Sequence, residues 1–138
     1  METTYRQSAK PLTVDISQSI SVALEKLSSN LGVSISQGLS RILEGLPGLA
    51  PSELNTFEEP PRGHRSSVSF NLSARALTAL DDSSLRSGLS RSSICRRVLY
   101  GLLVTQEIGF IGYADNHGLL RRTQLIFVFP EEGQVPPS

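Results

Sequence analysis

The chain has 138 residues, of which 13 are basic and 13 acidic, so its formal net charge is zero. This length is enough for one ordinary domain or two very small ones. The single cysteine excludes a disulfide framework and a zinc site made of several cysteines. The neutral balance argues against a protein that coats nucleic acid through a general excess of positive charge.

The N-terminal segment, residues 1–9, lacks the apolar stretch of a secretory signal. The longest apolar run, residues 125–129, is far shorter than the roughly 20 residues that a membrane helix requires. We therefore expect a cytoplasmic protein with no membrane partner.

A first structured region is predicted over residues 10–46. Apolar and polar side chains alternate over residues 12–16, which is typical of a short strand with one buried face. Ser17 is suited to cap a helix that ends at Gly32, because glycine accepts the left-handed turn after a helix. Ser34 is suited to cap a second helix, so the region is predicted as strand, helix, glycine turn and helix.

Residues 47–64 are rich in proline and predict a linker without a core of its own. Its large apolar side chains are expected to pack on the helices. They are Leu49, Leu54 and Phe57.

A second structured region, residues 65–106, repeats the first. Shifting the chain by 56 residues superimposes 11–46 on 67–102 without a gap, with eleven identical positions. The identical pairs are Ser17/Ser73, Ala23/Ala79, Leu24/Leu80, Ser28/Ser84, Gly32/Gly88, Ser34/Ser90, Ser36/Ser92, Arg41/Arg97, Leu43/Leu99, Gly45/Gly101 and Leu46/Leu102.

Residues 107–130 predict a C-terminal β-hairpin, since two apolar stretches flank a polar turn that contains glycine. Residues 131–138 are acidic and proline-rich, which predicts a disordered tail. We expect residues 107–138 to support self-association or to bind a protein partner. Alternatively, Arg121 and Arg122 extend a nucleic-acid contact.

A lone strand leaves one edge of its backbone unpaired, and a unit of fewer than about 40 residues buries too little surface to fold alone. The predicted fold class is therefore α+β and mainly helical. Two strand-helix-helix repeats share a two-stranded antiparallel ribbon, and a C-terminal β-hairpin follows.

This pattern resembles the ribbon-helix-helix superfamily of DNA-binding regulators, the MetJ/Arc class. The resemblance covers Lys10–Leu46 and Arg65–Leu103 and indicates a tandem, single-chain version of the usual homodimer. It implies a sequence-specific DNA-binding protein, a transcriptional regulator of the repressor type, whose ribbon enters the major groove of double-stranded DNA. The same resemblance implies a nucleoid-associated location, and we expect no cofactor.

The resemblance implies that the outward side chains of the ribbon contact bases. They are Thr13, Asp15, Ser67, Ser69 and Asn71. Asn71 is the strongest candidate because its amide pairs bidentately with adenine. Asp15 brings negative charge toward the phosphates, where family members commonly carry Arg, Lys, Gln or Asn, and so favours an alternative in which DNA binding has been lost.

Phosphate contacts are expected from the start of each second helix and from residues that flank the strands. These are Lys10, Ser34, Ser36, Arg65, Ser90, Arg91 and Ser92. The structural alternative for Ser34 and Ser90 is that each serves only as a helix cap.

Other side chains receive structural interpretations. We expect Arg96 and Arg97 on a solvated helix face. Because arginine recurs at positions 41 and 97 of the two repeats, the alternative is that Arg41 and Arg97 bind helix-end carbonyls or acidic neighbours. Cys95 lies in an apolar stripe and is expected to be buried filler rather than a reactive thiol.

An enzyme is not expected, since the chain lacks the His-Glu-x-x-His, phosphate-loop and Gly-x-Ser-x-Gly motifs. We expect no catalytic residue and no metal site. The main alternative function is an antitoxin-like or plasmid-partition-like adaptor whose C-terminal extension binds a protein.

The zero net charge conceals an uneven distribution. Residues 61–106 carry seven basic and two acidic side chains, whereas residues 1–60 carry four and seven. The second repeat is therefore expected to dominate phosphate contact.

Overall fold

A computed structural model of the protein describes residues 11–61, 63–111 and 118–123. Within these residues the chain is α+β and mainly helical, as predicted, with five α-helices and two antiparallel sheets of two strands each. The predicted tails, Lys10 and the hairpin residues 112–117 and 124–130 lie outside the described residues.

The elements follow one another in a simple order. They are β1 (Leu12–Ser17), α1 (Gln18–Leu31), α2 (Ile35–Glu44), a 3₁₀ turn (Leu46–Gly48), α3 (Pro51–Leu54), β2 (Arg65–Phe70), α4 (Ala74–Ser87), α5 (Arg91–Leu103), β3 (Ile108–Ile111) and β4 (Leu119–Arg122). None of the helices described here is both long enough and apolar enough to span a bilayer.

The ends of the long helices follow from local chemistry. Each of the four begins after a serine whose hydroxyl accepts a hydrogen bond from the backbone N–H three residues on. These serines are Ser17, Ser34, Ser73 and Ser90. Helices α1 and α4 end at Gly32 and Gly88, whose φ angles of 73° and 80° lie in the left-handed region that glycine accepts without strain. The predicted caps and stops are therefore confirmed.

The first sheet joins two segments that lie far apart in the chain. Strand β1 pairs antiparallel with β2, so that Leu12 lies opposite Phe70 and Ser17 opposite Arg65. The alternating pattern places Val14, Ile16 and Phe70 on the helical side, where each is at most 1% exposed. The other side of this sheet carries polar residues and faces solvent.

The helices pack behind this sheet and across one another. Helix α1 contacts α2 and α5, and α4 contacts the same two helices. Their buried stripes form one hydrophobic core with the inner face of the first sheet.

The linker contributes to that core. It contains the 3₁₀ turn and α3, and its apolar side chains Leu49, Leu54 and Phe57 are at most 5% exposed, as predicted. The linker therefore has no separate core, and its apolar side chains join the common core formed by the helices.

The C-terminal hairpin is present in its described part, where β3 pairs antiparallel with β4. Its inner side chains Ile108 and Leu120 are buried. The backbone N–H of Leu120 donates to the Gly45 carbonyl at 2.9 Å. A β-carbon on Gly48 would overlap the Leu120 carbonyl oxygen, so this close approach requires glycine.

We predict that Gly48→Ala destabilises the protein by about 1–3 kcal/mol, because the added methyl group pushes β4 off the 3₁₀ turn. Urea unfolding followed by circular dichroism measures this change. Gly63→Ala is the matched control, since nothing lies within 4 Å of a β-carbon there. Equal unfolding free energies for the two variants would contradict the close packing of β4.

Candidate functional site: the outer face of the first sheet

Four of the five residues predicted to contact bases share the outer face of the first sheet. Thr13 lies opposite Ser69 and Asp15 lies opposite Ser67, and all four are exposed. The Thr13 and Ser69 hydroxyl oxygens are 3.1 Å apart. The Ser67 hydroxyl donates to the Asp15 carboxylate at 2.5 Å. The sheet thus presents two polar cross-strand pairs side by side.

The chemistry of this face is that of three hydroxyl groups and one carboxylate. Asp15 has one carboxylate oxygen occupied by the Ser67 hydroxyl, which leaves further acceptor capacity directed to solvent. The Thr13 and Ser69 hydroxyls each combine a donor with acceptor lone pairs. Such a face accepts and donates hydrogen bonds but contributes no positive charge.

Asn71 occupies a different position from the other four. It is the first residue after β2, beyond the last strand pair, and its side chain is exposed. Its backbone N–H donates to the Ser36 hydroxyl at 2.9 Å. The end of β2 is therefore attached to the first turn of α2.

The start of α2 is closed by its own side chains. The Ser34 hydroxyl accepts from the Gln37 backbone N–H at 3.1 Å, and the Gln37 side chain accepts from the Ser34 N–H at 3.0 Å. This reciprocal pair is a capping box. Of the two serines predicted to bind phosphate here, Ser34 thus caps α2 and Ser36 binds the backbone of Asn71.

The start of α5 is arranged differently. Ser90 caps the helix by accepting from the Ser93 N–H at 3.0 Å. Arg91 forms an ion pair with Asp81, with 2.7 Å between Nε and the carboxylate, and both side chains are about half exposed. Ser92 lies half-buried on the first turn. An exposed pair of this kind contributes at most about 1 kcal/mol, so the Arg91 guanidinium is readily transferred to another anion.

Arg65 lies at the other end of the sheet, opposite Ser17. Its Nε is buried and has no hydrogen-bond partner among the described residues. Because alternate residues of a strand lie on the same side, Arg65 lies on the same side of β2 as Ser67 and Ser69. It thus supplies the positive charge nearest in sequence to this face.

Two arginines on α5 hold the linker, and the prediction that they lie on a solvated face is wrong. Arg96 pairs with the Glu59 carboxylate at 2.9 Å and is only 14% exposed. Its Nη1 also donates to the Asp15 carbonyl of β1 at 3.4 Å. Arg97 donates to the Phe57 carbonyl at 2.5 Å. Arg97 also donates to the carbonyl of Leu54, the last residue of α3, at 3.5 Å, so the alternative that Arg97 binds helix-end carbonyls is confirmed.

The only sequence signal for these contacts was the recurrence of arginine at positions 41 and 97. The recurrence predicts the same environment for both arginines, but Arg41 is exposed whereas Arg97 is half-buried. Four of the described basic side chains of residues 61–106 are engaged within the fold, since Arg86 pairs with Asp82 and Arg91 with Asp81, and Arg96 and Arg97 hold the linker.

The environment of α5 changes the pKa of two groups. Burial alone would raise the pKa of Glu59, but the hydrogen bond and charge of Arg96, assisted by Ser93 and Arg97, lower it below its ordinary value. Burial raises the pKa of the Cys95 thiol to about 12, against a smaller opposing effect of Arg96. Cys95 is fully buried, so its prediction as core filler is confirmed.

Comparisons with protein-family models, with curated proteins and with solved structures find no match for this chain. Across the described residues, no three metal-ligating side chains lie close enough together to hold an ion.

We predict that Glu59→Gln lowers the free energy of unfolding at pH 7 by roughly 0.5–1 kcal/mol, because it removes the charge that pairs with Arg96. The folded-state pKa of Glu59 is below its unfolded value. Its stabilising effect is therefore complete above the ordinary carboxyl pKa and is lost as the pH falls through the lowered one. The difference between the variant and the natural protein should shrink on acidification.

Urea unfolding at a series of pH values measures this dependence. The exposed neighbour Glu58 provides the control, since Glu58→Gln should leave stability unchanged at every pH. A constant difference between Glu59→Gln and the natural protein down to low pH would refute the assigned role of the Glu59–Arg96 pair.

Proposed function

We propose that this chain is a tandem ribbon-helix-helix protein that binds double-stranded DNA sequence-specifically, as a transcriptional regulator of the repressor type. The proposal rests on the agreement between two independent alignments, the strand pairing in the structure and the internal repeat in the sequence. Thr13 lies opposite Ser69 in the sheet, and the same two residues coincide when the chain is shifted by 56 positions. In a ribbon shared by two equivalent copies, the central residue must lie opposite its own counterpart.

The arrangement of the helices supports the same interpretation. A two-fold axis between Thr13 and Ser69 would exchange α1 with α4 and α2 with α5. It would therefore turn the contact between α1 and α5 into one between α4 and α2, and both contacts are present. Likewise, β1 contacts α5 and β2 contacts α2. These pairs are the ones that an internal two-fold axis requires.

The exposed outer face of the first sheet is the surface that would enter the major groove, which admits a two-stranded ribbon. Thr13 and Ser69 would lie at its centre, where their hydroxyls exchange hydrogen bonds with base edges and the Thr13 methyl contacts a thymine methyl. Asp15 would accept from a cytosine amino group, and Asn71 would reach adenine at the outer end.

The two ends of this face differ chemically. Asp15 and Ser67 lie toward one end, whereas Asn71 follows the Leu12–Phe70 pair at the other end. One chain would therefore recognise an asymmetric site, unlike the palindrome that a symmetric homodimer requires. Phosphate contacts would come from Arg65 and Lys10, and from Arg91 once a DNA phosphate replaces Asp81 as its ion-pair partner.

A second proposal is an adaptor function, antitoxin-like or plasmid-partition-like, with a protein partner bound through residues 107–138. One observation favours it, since Leu119 on β4 remains 41% exposed. Its neighbour Leu120 is buried in the common core, so a truncation before β3 would damage the fold itself. A change confined to the surface, Leu119→Ser, is the appropriate variant with which to test partner binding.

The first experiment is selection of binding sites from a random duplex DNA pool at low salt. We predict enrichment of one asymmetric sequence of about one helical turn, bound with a steep salt dependence. Failure to enrich any sequence would contradict the proposed function and favour the alternative in which DNA binding has been lost.

On the selected site, Asn71→Ala should weaken binding by about 1–3 kcal/mol and relax base choice at one terminal position. Fluorescence anisotropy with the selected duplex and its single-base variants measures both effects. Asn30→Ala, an exposed asparagine on α1, should change neither. If Asn71→Ala retains both affinity and selectivity, the base contact assigned to Asn71 is wrong.

A further inference from the structure

We propose that the protein has a binding site for a small aliphatic carboxylate, separate from the outer face of the first sheet and independent of the proposed DNA binding. The site is a cavity of about 530 Å³ bounded by α1, α2, α5 and the hairpin. This volume lies within the range of about 300–1,000 Å³ that is typical of small-molecule sites.

The walls of the cavity are mainly apolar. They are formed by Leu27 and Leu31 of α1, Ile42 of α2, Leu102 and Leu103 of α5, and Phe110 of β3. Several of these side chains are only partly buried although they belong to the hydrophobic cluster, and Leu31 remains 47% exposed. An alkyl chain placed here would remove this apolar surface from water, which is the main driving force for binding such a ligand.

Two charged side chains line the cavity, Arg41 and Glu44, and the guanidinium favours a carboxylate ligand over an amine. Arg41 lies on its wall and is exposed, and no carboxylate among the described residues forms an ion pair with it. Glu44 also lines the cavity, but its carboxylate accepts a hydrogen bond from the Ser73 hydroxyl at 2.7 Å, on the side of α4. The Ser73 hydroxyl holds one oxygen of Glu44 away from the cavity, whereas the Arg41 guanidinium, within the described part of the chain, keeps all its donors for a ligand anion.

The wall and the charge together define the ligand class as a carboxylate with an apolar tail. The tail would lie among the leucines, and the carboxylate would remain at Arg41 on the exposed side. A fully apolar ligand leaves Arg41 unused, and a strongly polar ligand gains nothing from the apolar walls. We use octanoate as the probe of this class.

The test is isothermal titration calorimetry of the full chain with octanoate, octanol and octylamine, three probes with the same tail. Octanoate should bind most tightly and octylamine most weakly, because of the charge of Arg41. Within the series hexanoate, heptanoate and octanoate, affinity should rise about four-fold for each added methylene group, as expected for burial of the tail.

Two variants locate the site. Arg41→Gln should weaken octanoate binding roughly five-fold and leave octanol binding unchanged. Leu31→Glu places a negative charge on the cavity wall at a position exposed enough to preserve folding, and should abolish octanoate binding. The matched control is Leu85→Glu, since Leu85 is 82% exposed on α4, lies outside the cavity wall and should bind octanoate normally.

Several results would overturn this proposal. They are the absence of octanoate binding by the full chain, affinity that does not depend on chain length, tighter binding of octylamine than of octanoate, and equal effects of Leu31→Glu and Leu85→Glu. Binding of octanoate by Phe127→Ser but not by the natural chain would assign the cavity to the protein's own C-terminal residues and would equally reject a ligand site.

Discussion

The pairing of β1 with β2 is the constraint on which the rest of the structure depends. Each strand alone leaves an edge of unpaired backbone groups. Once paired, the two strands bury their apolar faces in one core with helices from both halves of the chain. Val14 and Ile16 from one strand and Phe70 from the other complete one core together. The same pairing brings four polar side chains onto a single outer face, so the core and the candidate functional surface have one origin.

The linker and the two halves of the chain are joined unequally. On one side, Ser36 of α2 binds the backbone at the end of β2. On the other side, Arg96 of α5 reaches the Asp15 carbonyl while it holds Glu59 of the linker. Helix α3 of the linker contacts α4 and α5 of the second half, and this one-sided connection breaks an exact two-fold symmetry. This asymmetry agrees with the chemical difference between the two ends of the outer face.

The C-terminal hairpin packs on the rest of the fold where glycines allow its strands to approach closely. Strand β4 lies directly on the 3₁₀ turn because Gly48 has no β-carbon to obstruct the Leu120 carbonyl. At Gly101, an added β-carbon would lie 2.7 Å from the Ile108 side chain, so α5 and β3 also approach through a glycine. The cavity that we assign to a carboxylate lies between these contacts, where larger side chains of α1, α2 and β3 keep the elements apart.

The sequence by itself determined the order of strands and helices, their serine caps and glycine stops, and the inward face of the first sheet, since these depend on neighbours within a few residues. Four of the five predicted base-contact residues share one face for the same reason. Only the tertiary structure decided that Asn71 lies beyond the sheet, that Arg91 pairs with Asp81, and that Arg96 and Arg97 hold the linker. Each of these contacts joins residues brought together by packing, and local periodicity carries no information about such partners.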